Sequence, residues 1–250
     1  MEEEKGKSFG KIAENYDKYR PTYPKKMYKD ILKMSNINKS DRILDIGTGT
    51  GKGCKFFSGR NYRLICIEPD KRLIEISKKN LNLENIEFIN SIFEEANLSD
   101  QNFSLIISAQ AFHWINLERG IKKLSALLDK KGYFAFFWNI PDFNFSNSTK
   151  KVDELINEYS GENFASFTNK IDSIKAKLEE SSYFSNVEKR KYSYFVEYSK
   201  NEYIELFKTF SSIFSLPKKS KKEFLSKLSD IVPKKIRSRY YCYLISGKKN

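Results

Sequence analysis

An α/β fold, with a parallel sheet covered by helices on both faces, is predicted by three features of this 250-residue chain. Short, near-continuous apolar runs alternate with helical stretches between residues 25 and 138, the pattern of βα units in series. The first of those runs ends in an acid and a glycine-rich turn, Asp45-Ile46-Gly47-Thr48-Gly49-Thr50-Gly51-Lys52-Gly53. A further apolar run, residues 239–245, returns near the end of the chain after a helical, polar-rich stretch.

The elements follow in order. Residues 8–20 read as a short helix stopped by Pro21, and residues 25–35 as a second helix with Met27, Ile31 and Leu32 on one face. Strand one is 42–46, and the helix after the glycine turn carries Phe56 and Phe57. Strand two is 63–67, ending at Glu68-Pro69-Asp70, and a helix over 71–80 follows with Asp70 as its N-cap. Strand three is 86–89, strand four 103–108 and strand five 133–138, with a helix over 117–128 before the Lys131-Gly132 turn. Beyond Pro141 the pattern changes: 150–182 reads as helical, 187–196 alternates like an antiparallel strand, 201–228 reads as helical, and 239–245 is the final strand.

Composition narrows the classes. Hydrophobic residues make up 40% and charged residues 31%, ordinary for a soluble protein. No apolar run approaches the ~20 residues of a membrane span, and the acidic start Met1-Glu2-Glu3-Glu4 has no secretory h-region. Three scattered cysteines and a single histidine, His113, give neither a disulfide framework nor a metal-ligand spacing. A cytoplasmic protein without a metal or a membrane partner is expected. The net charge of +13 admits a nucleic-acid partner. Nine of the 45 basic residues are Arg and the Lys residues are scattered, which disfavours that partner, because phosphate-reading surfaces favour the planar Arg fork.

The glycine turn carries the chemistry. Gly permits positive φ and leaves bare backbone against a ligand, so a strand-to-helix turn of this kind can hold a nucleoside cofactor at the carboxyl edge of a parallel sheet. In dinucleotide folds the spacing is G-x-G-x-x-G around a pyrophosphate. Here the glycines fall at 47, 49 and 51, and Asp45 precedes them. A carboxylate there suits a cationic ligand. The run resembles motif I of the class I S-adenosylmethionine-dependent methyltransferases, D-x-G-x-G-x-G.

Two further stretches resemble a small-molecule subgroup that includes trans-aconitate methyltransferase-like enzymes. They are Ser108-Ala109-Gln110-Ala111-Phe112-His113-Trp114 and Tyr16-Asp17-Lys18-Tyr19-Arg20-Pro21-Thr22-Tyr23-Pro24. The resemblance covers roughly residues 9–140. It implies a Rossmann-like seven-stranded sheet with an antiparallel last strand and a helical cap inserted in the C-terminal half. It also implies one methyltransferase domain over 1–250: lid helices over 1–40, a cofactor-binding core over 41–140, and the remaining strands with the cap over 141–250.

The same resemblance distributes roles around S-adenosyl-L-methionine. Asp45, Gly47, Thr48, Gly49, Thr50 and Gly51 would receive the methionine part. Glu68, with Pro69, would accept hydrogen bonds from the ribose hydroxyls, as an acid at that strand end does in dinucleotide folds. Phe93 and Glu94 would meet the adenine, the small Ser108 and Ala109 would let the cofactor approach the strand end, and Gln110 would point to where the methyl group and the acceptor meet. Tyr16, Arg20, Tyr23, Trp114 and Trp138 are expected at the lid or substrate side, Arg20 as a bidentate carboxylate ligand.

His113 has two readings: a general base, since its ordinary pKa is near ~6.5, or a hydrogen-bonded brace at the helix start. The aromatic-rich cap, including Tyr198, Tyr203, Phe207 and Phe210, reads either as core packing or as a pocket wall. The expected activity is methyl transfer to a small molecule by a monomer or homodimer. The alternatives are an RNA methyltransferase using the basic surface and a non-catalytic cofactor-binding module.

Overall fold

The computed structural model describes residues 12–98, 101–161 and 164–250. Residues 8–11 of the predicted first helix lie outside that range; the described part is α1, Ala13–Tyr19. Arg20, with an extended backbone, is its C-cap, and Pro21 bars continuation because it has no N–H to donate. Helix α2 is Lys25–Ser35 and buries Met27, Tyr28 and Ile31.

Strands β1 (Arg42–Ile46), β2 (Arg63–Ile67), β3 (Ile86–Ile89) and β4 (Phe103–Ala109) pair in parallel in the order β3-β2-β1-β4. Helix α3 (Lys71–Asn80) connects β2 to β3, and α4 (Leu117–Leu127) leads into β5 (Leu128–Asp142). The chain then runs through α5 (Asn147–Ser160), α6 (Phe164–Glu180), β6 (Phe184–Ser199), α7 (Lys200–Phe207), α8 (Ser211–Phe214), α9 (Lys218–Ile231) and β7 (Lys235–Lys249). β5 is parallel to β4, and β7 lies antiparallel between β5 and β6, completing a seven-stranded sheet. The predicted fold class is the observed one.

Alternation along the strands builds two cores. Leu44, Ile46, Ile65, Ile67, Phe134 and Phe136 face α4 and α6, while Ile43, Leu64, Cys66, Leu105, Ile107 and Phe137 face α2. A third cluster, with Tyr198, Tyr203, Phe207, Phe210 and Phe224, holds α5, α7 and α9 on the far ends of β6 and β7. This is the packing reading of the cap aromatics.

Six segments differ from expectation. The stretch after the glycine turn is a series of tight turns rather than a regular helix. Its backbone mixes bonds to the fourth preceding residue (Lys55 N to Gly51 O) and the third (Phe57 N to Cys54 O), and Gly51 and Gly59 at φ +86° and +70° break the helical repeat. The 150–182 helix is two helices, ended at Gly161, which adopts φ +65° as a left-handed cap. The 201–228 helix is three, interrupted before Pro217, the N-cap of α9. Strands β5, β6 and β7 run to 15, 16 and 15 residues, because their mutual pairing continues past the apolar cores into polar sequence.

Candidate cofactor and acceptor site

A cleft of about 510 Å³ opens at the carboxyl ends of β1 to β4, where the loops of an open parallel sheet converge. Gly47, Gly49, Glu68, Pro69, Phe93, Glu94, Ala109 and Gln110 line it, with Tyr16 from α1 and Trp114 after β4. These ten predicted residues, drawn from five segments, therefore share one wall.

The glycine turn is pinned to the neighbouring strand, since Gly47 N and Thr48 N both donate to Ile67 O, at 2.9 and 3.0 Å. Gly47 and Gly49 have φ of +68° and +59°, a region costly for residues with a Cβ. A Cβ on Gly47 would lie 2.3 Å from Ala111 Cβ, whereas one on Gly49 would meet nothing closer than Gly47 O at 4.0 Å. Gly49 thus presents bare backbone to the cleft, the cradle that a cofactor needs.

Glu68 joins this turn to the next loop. Its Oε2 accepts from Gly49 N at 2.9 Å and its Oε1 from Asp70 N at 3.0 Å. Each carboxylate oxygen retains a lone pair for a ligand hydroxyl. Burial raises the Glu68 carboxyl to about 7, opposed by those two N–H donors. Asp70 caps α3 by accepting from Arg72 N at 2.9 Å. In the loop after β3, Glu94 Oε1 accepts from Asn116 N at 2.9 Å, and Phe93 is buried at the cleft wall.

Several predicted residues are elsewhere. Asp45 is fully buried and does not line the cleft. It follows the alternation of β1 onto the α2 side, and neither carboxylate oxygen has a hydrogen-bond partner. Cys54 and Cys66 lie beside it, their sulfurs and its carboxylate within 4.8 Å of one another. Thr48, Thr50 and Gly51 also form no part of the cleft wall, and Ser108 Oγ donates to Ile46 O at 2.9 Å, tying β4 to β1.

Trp138 is fully buried, and its Nε1 donates to His113 Nδ1 at 3.1 Å. His113 packs edge-on against Phe167 at 4.9 Å. Burial, with Lys170 adding to it, lowers its pKa to about 3. In this geometry His113 Nδ1 is occupied by the Trp138 donor and the ring is not on the cleft wall, the arrangement of a brace rather than of a base facing the cleft. Arg20 donates Nε to Thr209 Oγ1 at 2.8 Å and Nη2 to Thr209 O at 2.9 Å, with its guanidinium 3.8 Å from the Phe210 ring centroid. That latch between α1 and the cap uses the donor edge a bidentate carboxylate would need. Tyr23 packs against Phe137 at 4.7 Å and lies outside the cleft.

The sequence reading missed Leu73, Ile115, Asn116 and Arg119, all on the cleft wall. No motif marks them. The signal available was topological, since each follows the carboxyl end of β2 or β4. Beside the cleft, a cavity of about 10 Å³ is lined by Tyr16, Arg20, Tyr23, Gln110, Asn139 and Tyr240 among others. Tyr16 and Gln110 belong to both, which makes them the junction between the cleft and the lid.

Buried Asp45 has a measurable consequence. Burial raises its carboxyl to about 6, above the ~3.9 of an unfolded chain. The stability it contributes is fully present below about pH 4 and is lost as pH rises through about 6, by up to about 3 kcal/mol. Asp45→Asn, neutral throughout, is expected to exceed the parent in stability at pH 8 and to converge with it near pH 4. Urea midpoints at the two pH values check this, and parallel behaviour of the two proteins would show that Asp45 ionises freely.

Comparison with known proteins agrees with this geometry. Residues 44–136 match the family model described as a methyltransferase domain. CRG1 of Saccharomyces cerevisiae, named "Probable S-adenosylmethionine-dependent methyltransferase", is 33% identical over 135 residues, covering 52% of this chain and 46% of that protein. The malonyl-[acyl-carrier protein] O-methyltransferase of Acetivibrio thermocellus is 33% identical over 159 residues, covering 58% and 56%. The chain thus spans about half the length of both relatives. Phosphoethanolamine N-methyltransferase 2 of Haemonchus contortus, solved with S-adenosylhomocysteine, superimposes with a TM-score of 0.57 at 11% identity, over 98% of this chain and 60% of that one.

Proposed function

We propose that this member of the class I S-adenosylmethionine-dependent methyltransferases transfers a methyl group to a small-molecule acceptor that reaches the cleft past Tyr16 and Gln110. The observation that carries the reading is the bare, positive-φ backbone at Gly49 tied to the Glu68 carboxylate across one cleft. S-adenosylmethionine, the cofactor of this family, supplies an electrophilic methyl group on a sulfonium sulfur.

The chain's own residues supply position. Glu68 would take the ribose hydroxyls, the Gly47 and Gly49 backbone the methionine part, and Phe93, Trp114 and Ile115 would flank the adenine ring. At the junction, Tyr16 is the titratable side chain common to cleft and lid, and burial raises its pKa. A base is thus not offered there at neutral pH, and the acceptor would bring its own lone pair. In-line displacement from an activated donor depends on such alignment. Among the described residues no helix is long and apolar enough to cross a membrane. The three cysteines are buried and unpaired, which supports a reducing compartment such as the cytoplasm.

Calorimetric titration tests the proposal. S-adenosylhomocysteine is expected to bind with a dissociation constant in the micromolar range and NAD not to bind. Absence of S-adenosylhomocysteine binding would leave the glycine turn as a structural feature and end the methyl-transfer reading. Salt-dependent retention on RNA at physiological ionic strength, together with cofactor binding, would favour an RNA acceptor instead.

A further inference from the structure

Gln110, the residue that follows β4, is held in a backbone conformation that its side chain disfavours. Seven non-glycine residues among those described have a positive φ, and four of them are Asn, the side chain that tolerates it best. Gln110, at φ +59°, is the one of the seven on the cleft wall. Such a conformation is costly for a residue with a Cβ and persists only where the surroundings over-determine it. Strand β5 does so here, since Gln110 N donates to Phe137 O at 2.9 Å and Nε2 to Asn139 O at 3.0 Å.

The second of those bonds fixes which way the amide faces. Only its nitrogen can donate to a carbonyl, so Oε1 is turned away from Asn139 O. That oxygen accepts no hydrogen bond within the protein and is not sealed from solvent. The strained turn therefore presents one free acceptor oxygen, on a rigidly held residue of the cleft wall.

We propose that Gln110 Oε1 receives an N–H of the acceptor and that the acceptor is a primary or secondary amine. This rests on the methyl-transfer reading above and names its substrate class. A carboxylate has no hydrogen to give Oε1, and it meets a wall with three carboxyl groups, Glu68, Glu94 and Glu95, against one cation, Arg119. An alcohol has an O–H to give but must surrender that proton as it is methylated, and no base stands on this side. The wall carboxyl groups follow β2 and β3, across β1 from Gln110. Tyr16 stays protonated at neutral pH because burial raises its pKa, and His113 is off the wall. A neutral amine carries both an N–H and a lone pair. With the N–H on Oε1, the lone pair is left to form the new N–C bond. The methyl group's former bonding pair stays on the donor sulfur, and the extra proton of the resulting ammonium goes to water.

The test supplies methyl-labelled S-adenosylmethionine and a panel of primary and secondary amines, with the alcohols and carboxylates of the same carbon skeletons. Methylation of amines is expected, and no comparable rate for the matched alcohols and carboxylates. Gln110→Asn keeps a side chain that tolerates the backbone conformation but withdraws the amide by one methylene. Gln110→Gly, suited to positive φ, removes the amide and serves if the first variant does not fold. Each should lower kcat/KM for the methylated amine about tenfold, the worth of one hydrogen bond. Calorimetric binding of that amine to protein saturated with S-adenosylhomocysteine should weaken equally, while S-adenosylhomocysteine affinity stays within about twofold. A protein that binds S-adenosylhomocysteine but methylates no amine, or methylates alcohols or carboxylates as fast, overturns the assignment. Variants with the parent's kcat/KM and amine affinity also overturn it. So does a variant that loses S-adenosylhomocysteine as much as the amine, because Gln110 would then serve the cofactor. Failure of the parent to bind S-adenosylhomocysteine would instead end the methyl-transfer reading on which the assignment rests.

Discussion

Glu68→Ala is expected to weaken S-adenosylhomocysteine binding by about two orders of magnitude, since hydrogen bonds to a charged group contribute about 1.5–3 kcal/mol each and a ribose offers two hydroxyls. The substitution acts a second way, because the same carboxylate accepts from Gly49 N and Asp70 N and so holds the glycine turn against the next loop. Glu68→Gln separates the two contributions. It keeps one acceptor oxygen and the side-chain volume, but offers an N–H₂ where the parent offers a second acceptor.

The parent should also show a pH signature. The carboxylate that accepts ribose hydroxyls is the charged form, and burial raises Glu68 to about 7. Protons therefore compete with ligand, and affinity should fall as pH drops below about 7, approaching tenfold per unit, whereas Glu68→Gln should be flat. Titration calorimetry at pH 6 and 8 measures both. A parent with pH-independent affinity, or a Glu68→Ala variant that binds like the parent, would remove Glu68 from the ribose site.

The second large effect is on stability. Trp138→Ala empties one of the largest fully buried side-chain positions in the sheet and is expected to cost about 3–5 kcal/mol, the range for large aromatics cut to alanine in a core. Trp138→Phe retains most of the packing but leaves His113 Nδ1 without its 3.1 Å donor, at a cost of about 1–3 kcal/mol. Neither residue lines the cleft, so Trp138→Phe should keep the parent's affinity for S-adenosylhomocysteine. Urea unfolding followed by calorimetry distinguishes the roles. A Trp138→Phe protein as stable as its parent but deficient in cofactor binding would return this pair to the site.

Local chemistry made much of the molecule legible in its residues. Strands β1 to β3 fall at the predicted bounds, because each is a short apolar run closed by polar or turn-forming residues. The cleft residues of the glycine turn, Glu68 and Gln110 were legible for a related reason. Special backbone conformation demands special residues, and an acid at the end of an apolar strand has few uses. The strands beyond residue 128 were read too short, since ladder pairing between β5, β6 and β7 continues where side chains no longer report burial. The helix expected after Gly51 failed because three glycines weaken the helical preference that Phe56 and Phe57 suggested.

The sequence by itself determined the order of elements, the parallel half of the sheet and the glycine turn at its carboxyl edge. All of these follow from periodicity and from backbone positions that only glycine tolerates. Tertiary structure alone decided which polar residues face the cleft. Asp45 and Ser108 sit within a few residues of lining positions, yet strand alternation and close packing turn one onto the α2 face and tie the other to β1. His113 and Trp138 satisfy one another, and Arg20 is spent on Thr209 across a long sequence separation. A side chain's role depends on which partner reaches it first in three dimensions, and that pairing is not written in its neighbours along the chain.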